Sequence, residues 1–131
     1  IDTSAGDENL PNIVVVGLPA SVTVDRVVGV LKYAARTDSS SAENYISSNQ
    51  VISVDSAAGR DSVITMIDVP SGSMRCAAST QEGGDVIIGD NDVSSEVTGD
   101  ATYYVTWELA DSYGDSLTFQ DVQVGLRVYY H

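Results

Sequence analysis

Four oxygen-bearing side chains alternate within one polar loop, residues 89–100, and could bind a cation. Asp90, Asp92, Ser94 and Glu96 occupy every second position there. Carboxylate and hydroxyl oxygens are the ligands that Ca²⁺ takes in proteins, but the loop lacks the glycine and glutamate that an EF-hand places at its sixth and twelfth positions. The pattern predicts either a loosely held Ca²⁺ on Asp90, Asp92 and Glu96 or a solvated loop, and no other cofactor is expected.

No catalytic constellation is evident in the sequence. His131 is the sole histidine and the last residue, and Cys76 is the sole cysteine. Nucleophilic triads need a rigidly held histidine, and zinc sites need several His or Cys ligands. Carboxylates are so numerous that closeness alone marks none of them as a glycosidase pair. We therefore expect a non-enzymatic protein in which Cys76 is a small buried apolar residue.

The charge of the chain restricts its partners. The 19 acidic and 6 basic residues give a net charge of −13. Such a surface repels nucleic-acid phosphates and anionic membranes, so neither is an expected partner. An acidic surface poor in lysine suits a saline habitat, although an ordinary acidic protein would have the same composition.

Three of the basic residues fall in one long strand predicted over residues 21–37. Arg26, Lys32 and Arg36 all occupy even positions of that segment. Side chains two residues apart leave the same side of a strand. The spacing indicates either scattered solvated charges or a basic strip that docks on an acidic neighbour.

The period-two alternation at the end of the chain predicts a half-buried antiparallel hairpin. Residues 101–112 would form one strand, residues 113–116 the turn, and residues 117–131 the returning strand. The expected inward residues of the first strand are Tyr103, Val105, Trp107 and Leu109. In the return strand they are Leu117 and Phe119, followed after a β-bulge near residues 120–121 by Val122, Val124, Leu126, Val128 and Tyr130.

The remaining segments extend the same all-β pattern. Short apolar runs alternate with turn signals and give about eight strands, with no helical segment long enough for a βαβ crossover. We expect an antiparallel β-sandwich, jelly-roll-like, over residues 12–131, preceded by an extended polar arm over residues 1–11. The seven tyrosines and one tryptophan would pack in its core or supply surface contacts for a sugar or a protein.

The chain resembles a known type of protein in its terminal block of residues 103–131, its composition rich in Ser, Thr, Gly, Ala and Val, and its polar arm. They are similar to small β-sandwich structural proteins of virions, such as capsid decoration, turret or head-fibre domains of tailed double-stranded DNA viruses. The resemblance implies a protein without an active site that oligomerises and covers capsid joints.

These observations together predict a function in assembly. We expect an outward-facing capsid decoration or minor coat component at the virion surface, bound to capsid or sister subunits. A homo-oligomer is expected, with a trimer favoured and the arm crossing to a neighbour. The alternative is an extracellular adhesive, pilus or cell-surface module of a marine or halophilic organism, with carbohydrate as its candidate ligand.

Overall fold

The computed structural model describes residues 7–46, 48–61, 63–108 and 117–131, and every element in them is a β-strand. Nine strands form two antiparallel sheets, which confirms the all-β, sandwich-like fold, while the jelly-roll order stays a prediction. Within the described residues no helix could span a membrane. The strands are β1 (Glu8–Asn9), β2 (Ile13–Val15), β3 (Val24–Asp38), β4 (Gln50–Asp55), β5 (Ile64–Val69), β6 (Gln81–Ile88), β7 (Ala101–Glu108), β8 (Leu117–Gln120) and β9 (Gln123–Tyr130).

The first sheet is built around β7. Strands β1 and β2 pair with different halves of one edge of β7, and β4 pairs with its other edge and with β5. Leu10 is buried and its backbone amide donates to the carbonyl of Val105 at 3.0 Å. The described part of the arm, residues 7–11, is therefore attached to its own sheet. A crossing to a neighbour stays a prediction for residues 1–6, which lie outside the described residues.

The second sheet is built around the long strand β3. Strand β6 pairs with one edge of β3, and β8 and β9 follow each other along the opposite edge. Beyond β9, the backbones of Thr23 and His131 exchange two hydrogen bonds of 2.9 and 3.1 Å. The prediction that the C-terminal residues belong to a sheet is confirmed.

Aromatic side chains fill the space between the sheets. Trp107, Tyr33, Tyr103 and Phe119 are all buried. The Phe119 ring lies 5.0 Å from the ring of Tyr33 and 5.4 Å from that of Trp107, measured between centroids. Both sheets thus contribute to one aromatic cluster, as expected for strands whose inner faces alternate with polar outer positions.

The predicted terminal hairpin is wrong. Strand β7 belongs to the first sheet and β8 and β9 to the second, so their inner faces meet across the core instead of pairing edge to edge. The predicted turn, residues 113–116, and Leu109 lie outside the described residues. A period of two defines which side of a strand is buried, but two strands with apolar inner faces can satisfy it either side by side or face to face.

The predicted inward residues of the return strand are largely confirmed. Leu117 and Phe119 are buried, and the even-numbered residues from Val122 to Val128, including Leu126, are partly buried against the core. Tyr130 is the exception, because it is 49% exposed at the end of β9.

The change of inward parity does not come from an inserted residue. Strands β8 and β9 keep one register against β3, with Ala35 opposite Gln120 and Lys32 opposite Gln123. The irregularity is instead a row across the sheet, called here the bend row, where the ladders are interrupted. It consists of Gly84 of β6, Ala34 of β3, and Asp121 between β8 and β9, which has a φ of 54°. On β3 the core-facing side passes from odd residues such as Tyr33 to even residues such as Asp38 across this row.

Candidate functional site

The bend row separates the three predicted interface residues. Arg26 and Lys32 are exposed on the side of β3 turned away from the core. Arg36 lies beyond the bend row and is opposite Phe119, a core residue. Directly opposed residues of an antiparallel pair share one side of a sheet. The prediction of a single basic strip is therefore wrong for Arg36, which faces the core side at its rim.

The side of the second sheet that faces away from the core carries a different set of residues, called here the outer face. The strand registers place Lys32 opposite Val86, Val30 opposite Ile88, and Arg26 opposite Tyr129. Val86 is 52% exposed, and Ile88 and Tyr129 are each 46% exposed. The outer face consists of Arg26, Val30, Lys32, Val86, Ile88, Gln123, Gly125, Arg127 and Tyr129, together with Val28, which is buried.

Two cations of the outer face form no ion pair with any acidic residue that the structure describes. In the part of the chain that the structure describes, no carboxylate oxygen lies within 4.0 Å of the charged nitrogens of Lys32 or Arg127. Arg26 differs, because its guanidinium donates to the backbone carbonyl of Asp90 at 3.1 Å. Lys32 and Arg127 are thus available charges beside half-exposed apolar side chains.

The other three arginines are engaged within the fold. Arg36 forms an ion pair with Glu82 at 3.4 Å, and Arg75 forms one with Glu43 at 2.7 Å. Arg60 donates to the carbonyl of Val105 and lies 5.6 Å from the ring centroid of Tyr104. Their contacts leave the outer face as the region with unpaired positive charge among the described residues.

Two carboxylates of the predicted calcium loop accept hydrogen bonds from backbone amides. Asp92 accepts hydrogen bonds from the amides of Val27 and Ser94, each at 3.0 Å, and these bonds lower the pKa of Asp92. Glu96 accepts from the amide of Ser56 at 2.6 Å. Over the described residues, no group of three or more His, Cys, Asp or Glu side chains could hold a metal ion. The calcium site of Asp90, Asp92 and Glu96 stays a prediction.

A cleft of about 480 Å³ opens between the edge strands β5 and β6. On the second sheet it is lined by Tyr33, Arg36 and Asp85. Burial raises the pKa of Tyr33, although a hydrogen bond from Arg36 opposes the shift. The opposite wall of the cleft contains Asp68 and Arg75. The apolar residues that line the cleft are Ile87, Val69, Pro70 and Met74.

The two residues considered for catalysis have structural contacts. The imidazole of His131 lies 2.9 Å from the carboxylate of Asp25 at an exposed site. Cys76 is fully buried, as predicted, with its thiol 3.7 Å from the carbonyls of Arg36 and Thr80.

Sequence reasoning missed Arg127 and the cleft. Arg127 is an isolated cation in an apolar strand, and its relation to Lys32 depends on the pairing of β9 with β3. The cleft combines residues of β3, β5, β6 and the segment after β5, which no local pattern connects. The chain matches no family model, curated protein or solved structure.

Proposed function

We propose that this chain is a non-enzymatic structural protein that docks through its outer face on an acidic protein surface. In the specific form of this proposal it is an outward-facing capsid decoration or minor coat component, and the acidic surface belongs to a capsid or sister subunit. The observation that carries the proposal is the outer face itself, where Lys32 and Arg127 flank half-exposed Val86, Ile88 and Tyr129.

The composition of the outer face suits a protein interface. Apolar and aromatic side chains supply contact area at the centre of an interface, and Arg is enriched there. Ion pairs at the rim give orientation and a faster approach more than they give affinity. A face with both kinds of residue therefore favours docking in one orientation.

The charge of the rest of the molecule supports the choice of partner. At a net charge of −13, most approaches to another acidic protein are repulsive. The unpaired cations of the outer face reverse this locally, because they have no carboxylate of their own nearby in the described residues. A second copy of the chain is itself such an acidic partner, which supports the expected cyclic homo-oligomer, a trimer in the favoured form.

The proposal is tested by charge reversal on the outer face. Lys32→Glu and Arg127→Glu should each weaken binding to immobilised wild-type chain on the order of tenfold, because each replaces an attraction by a repulsion. Arg75→Glu is the control, since it makes the same charge change at an exposed site outside the outer face. It should leave binding unchanged, and its melting temperature shows whether the fold tolerates the loss of the ion pair with Glu43. Binding of the wild-type chain should weaken as salt increases. Equal binding by all three variants would contradict the proposal.

The location in a virion requires a separate experiment. Antibodies against the chain, detected by gold in electron micrographs, should label intact particles purified from the natural source. Label that appears only after the particles are disrupted would contradict an outward-facing position and leave the docking face to be explained by another assembly.

A further inference from the structure

We propose that the cleft between β5 and β6 binds one neutral sugar unit of a glycan. This inference concerns a different part of the molecule from the outer face and goes beyond the proposed docking role. It rests on the cleft's combination of hydrogen-bond donors, hydrogen-bond acceptors and apolar lining, and on its volume of about 480 Å³. Small-molecule pockets of roughly 300–1,000 Å³ with a few convergent polar groups are typical ligand sites.

The polar groups of the cleft are complementary in kind to sugar hydroxyls. Two acids, Asp68 and Asp85, line the cleft with two arginines, Arg36 and Arg75; carboxylates accept hydrogen bonds and guanidinium groups donate them. The hydroxyl of Tyr33 can do both. A hydroxyl of a sugar is both donor and acceptor, so one ring can satisfy groups of both kinds at once. Ile87 offers an apolar surface to the C–H face of such a ring.

The charges of the lining disfavour other classes of ligand. Phosphate or another anion would approach Asp68 and Asp85, and a metal cation would approach Arg36 and Arg75. A purely apolar ligand would strip water from all four charged groups without replacing their hydrogen bonds. Carboxylates and guanidinium groups line the cleft together, so a neutral, hydroxyl-rich ligand is the match that both kinds of group can bind.

Both arginines of the cleft are held in place by the fold. Arg36 donates to Glu82 at 3.4 Å and to the carbonyl of Gly83 at 3.2 Å. Arg75 bonds Glu43, and its guanidinium lies 4.5 Å from the ring centroid of Tyr45. Side chains that are fixed before binding lose less conformational freedom when a ligand arrives.

The test titrates the ¹⁵N-labelled full chain with methyl glycosides of common neutral hexoses and N-acetylhexosamines. At least one should shift the backbone amide resonances of the segments around Tyr33, Asp85 and the loop after β5, with saturation in the millimolar range. The absence of any saturable shift in these segments across the panel would overturn the proposal. A stronger response to a sugar phosphate than to the neutral sugar would also overturn it, in favour of an anion site.

Variants connect the response to the cleft. Asp85→Ala removes an acceptor from the lining and should weaken sugar binding at least tenfold, whereas Asp61→Ala, an exposed acid outside the cleft, should not. A melting temperature near that of wild type establishes that Asp85→Ala is folded. Lys32→Glu should retain sugar binding, and Asp85→Ala should retain docking, so the two proposals fail independently. Sugar binding that survives Asp85→Ala at wild-type strength would overturn the site.

Discussion

Trp107 illustrates how much a single residue can be predicted from the sequence. Its position in an alternating segment predicts a buried side chain, and it is fully buried. The alternation does not predict its polar contact: the indole N–H donates to the side-chain oxygen of Gln50 at 2.9 Å, across strands far apart in sequence. Local periodicity shows which side of its strand Trp107 occupies. Its hydrogen-bond partner depends on how distant strands pair, which the periodicity does not show.

Replacing Trp107 by alanine should strongly destabilise the fold. We expect Trp107→Ala to lower the free energy of unfolding by about 3–5 kcal/mol, because it opens a large cavity in the aromatic cluster. Urea denaturation measures the change. Tyr129→Ala is the control, since this side chain is 46% exposed on the outer face and should cost well under about 1 kcal/mol. A loss under about 1 kcal/mol in Trp107→Ala would contradict the expected cavity in the aromatic cluster.

At the scale of the strands, the bend row explains why the charge prediction failed at Arg36. Even spacing predicts one common side only while a strand stays regular, and β3 changes its core-facing parity between Lys32 and Arg36. A parity change near residues 120–121 is visible in the sequence, and the same change in β3 is not. The change in β3 occurs where β3 pairs with β6, and Gly84 of β6 lies closest to the backbone of β3 there. The sequence alone does not show that these two strands pair.

Gly84 is the position where the bend row depends on the absence of a side chain. A Cβ at Gly84 would overlap the backbone carbonyl of Tyr33, and glycine inside a strand often marks such close backbone approach. We expect Gly84→Ala to destabilise the protein by about 1–3 kcal/mol, as overpacking does, when unfolding is followed in urea.

The neighbouring glycine provides the matched control. A Cβ at Gly83 would meet no atom within 4 Å, so Gly83→Ala makes the same chemical change one residue away without a clash. It should leave stability unchanged or raise it slightly, by about 0.4–1 kcal/mol, through the entropy of the unfolded chain. A loss in Gly83→Ala equal to that in Gly84→Ala would mean that backbone approach at the bend row is not the cause.

At the scale of the whole molecule, the class of fold and the sign of the surface charge could be predicted from the sequence. The assignment of strands to the two sheets could not. Turn signals and alternation predict about eight strands and two sheets. The neighbours of β7 depend on which of several similar apolar edges it meets, and the sequence contains no local signal for that choice. The outer face and the cleft could not be predicted for the same reason, because each combines residues from strands that are far apart in the sequence.

The net charge predicts a salt-dependent stability. Self-repulsion at −13 should be screened as NaCl increases from about 10 mM to about 300 mM, so the melting temperature should rise. A loop that is only solvated predicts the same rise with calcium at equal ionic strength, whereas a calcium site on Asp90, Asp92 and Glu96 predicts a larger one. A melting temperature independent of NaCl would contradict the expected repulsion.

The melting measurement with calcium also tests the predicted metal site. MgCl₂ at the same concentration serves as the control for divalent charge. An additional stabilisation specific to calcium, reversed by chelator and lost in Asp92→Asn, would establish the site of Asp90, Asp92 and Glu96.

The central position of β3 has a consequence for how the chain folds. Val24, at the start of β3, pairs with Tyr130 near the end of the sequence, and Thr37 pairs with both Gln81 and Thr118. Both edges of β3, the longest strand, therefore pair with segments that are synthesised much later. Closing such long loops costs entropy before any pairing compensates, which slows folding in proteins of high contact order. During synthesis, one edge of β3 would remain unpaired until residues 117–130 have left the ribosome, and the high negative charge would help to keep it from aggregating in that interval.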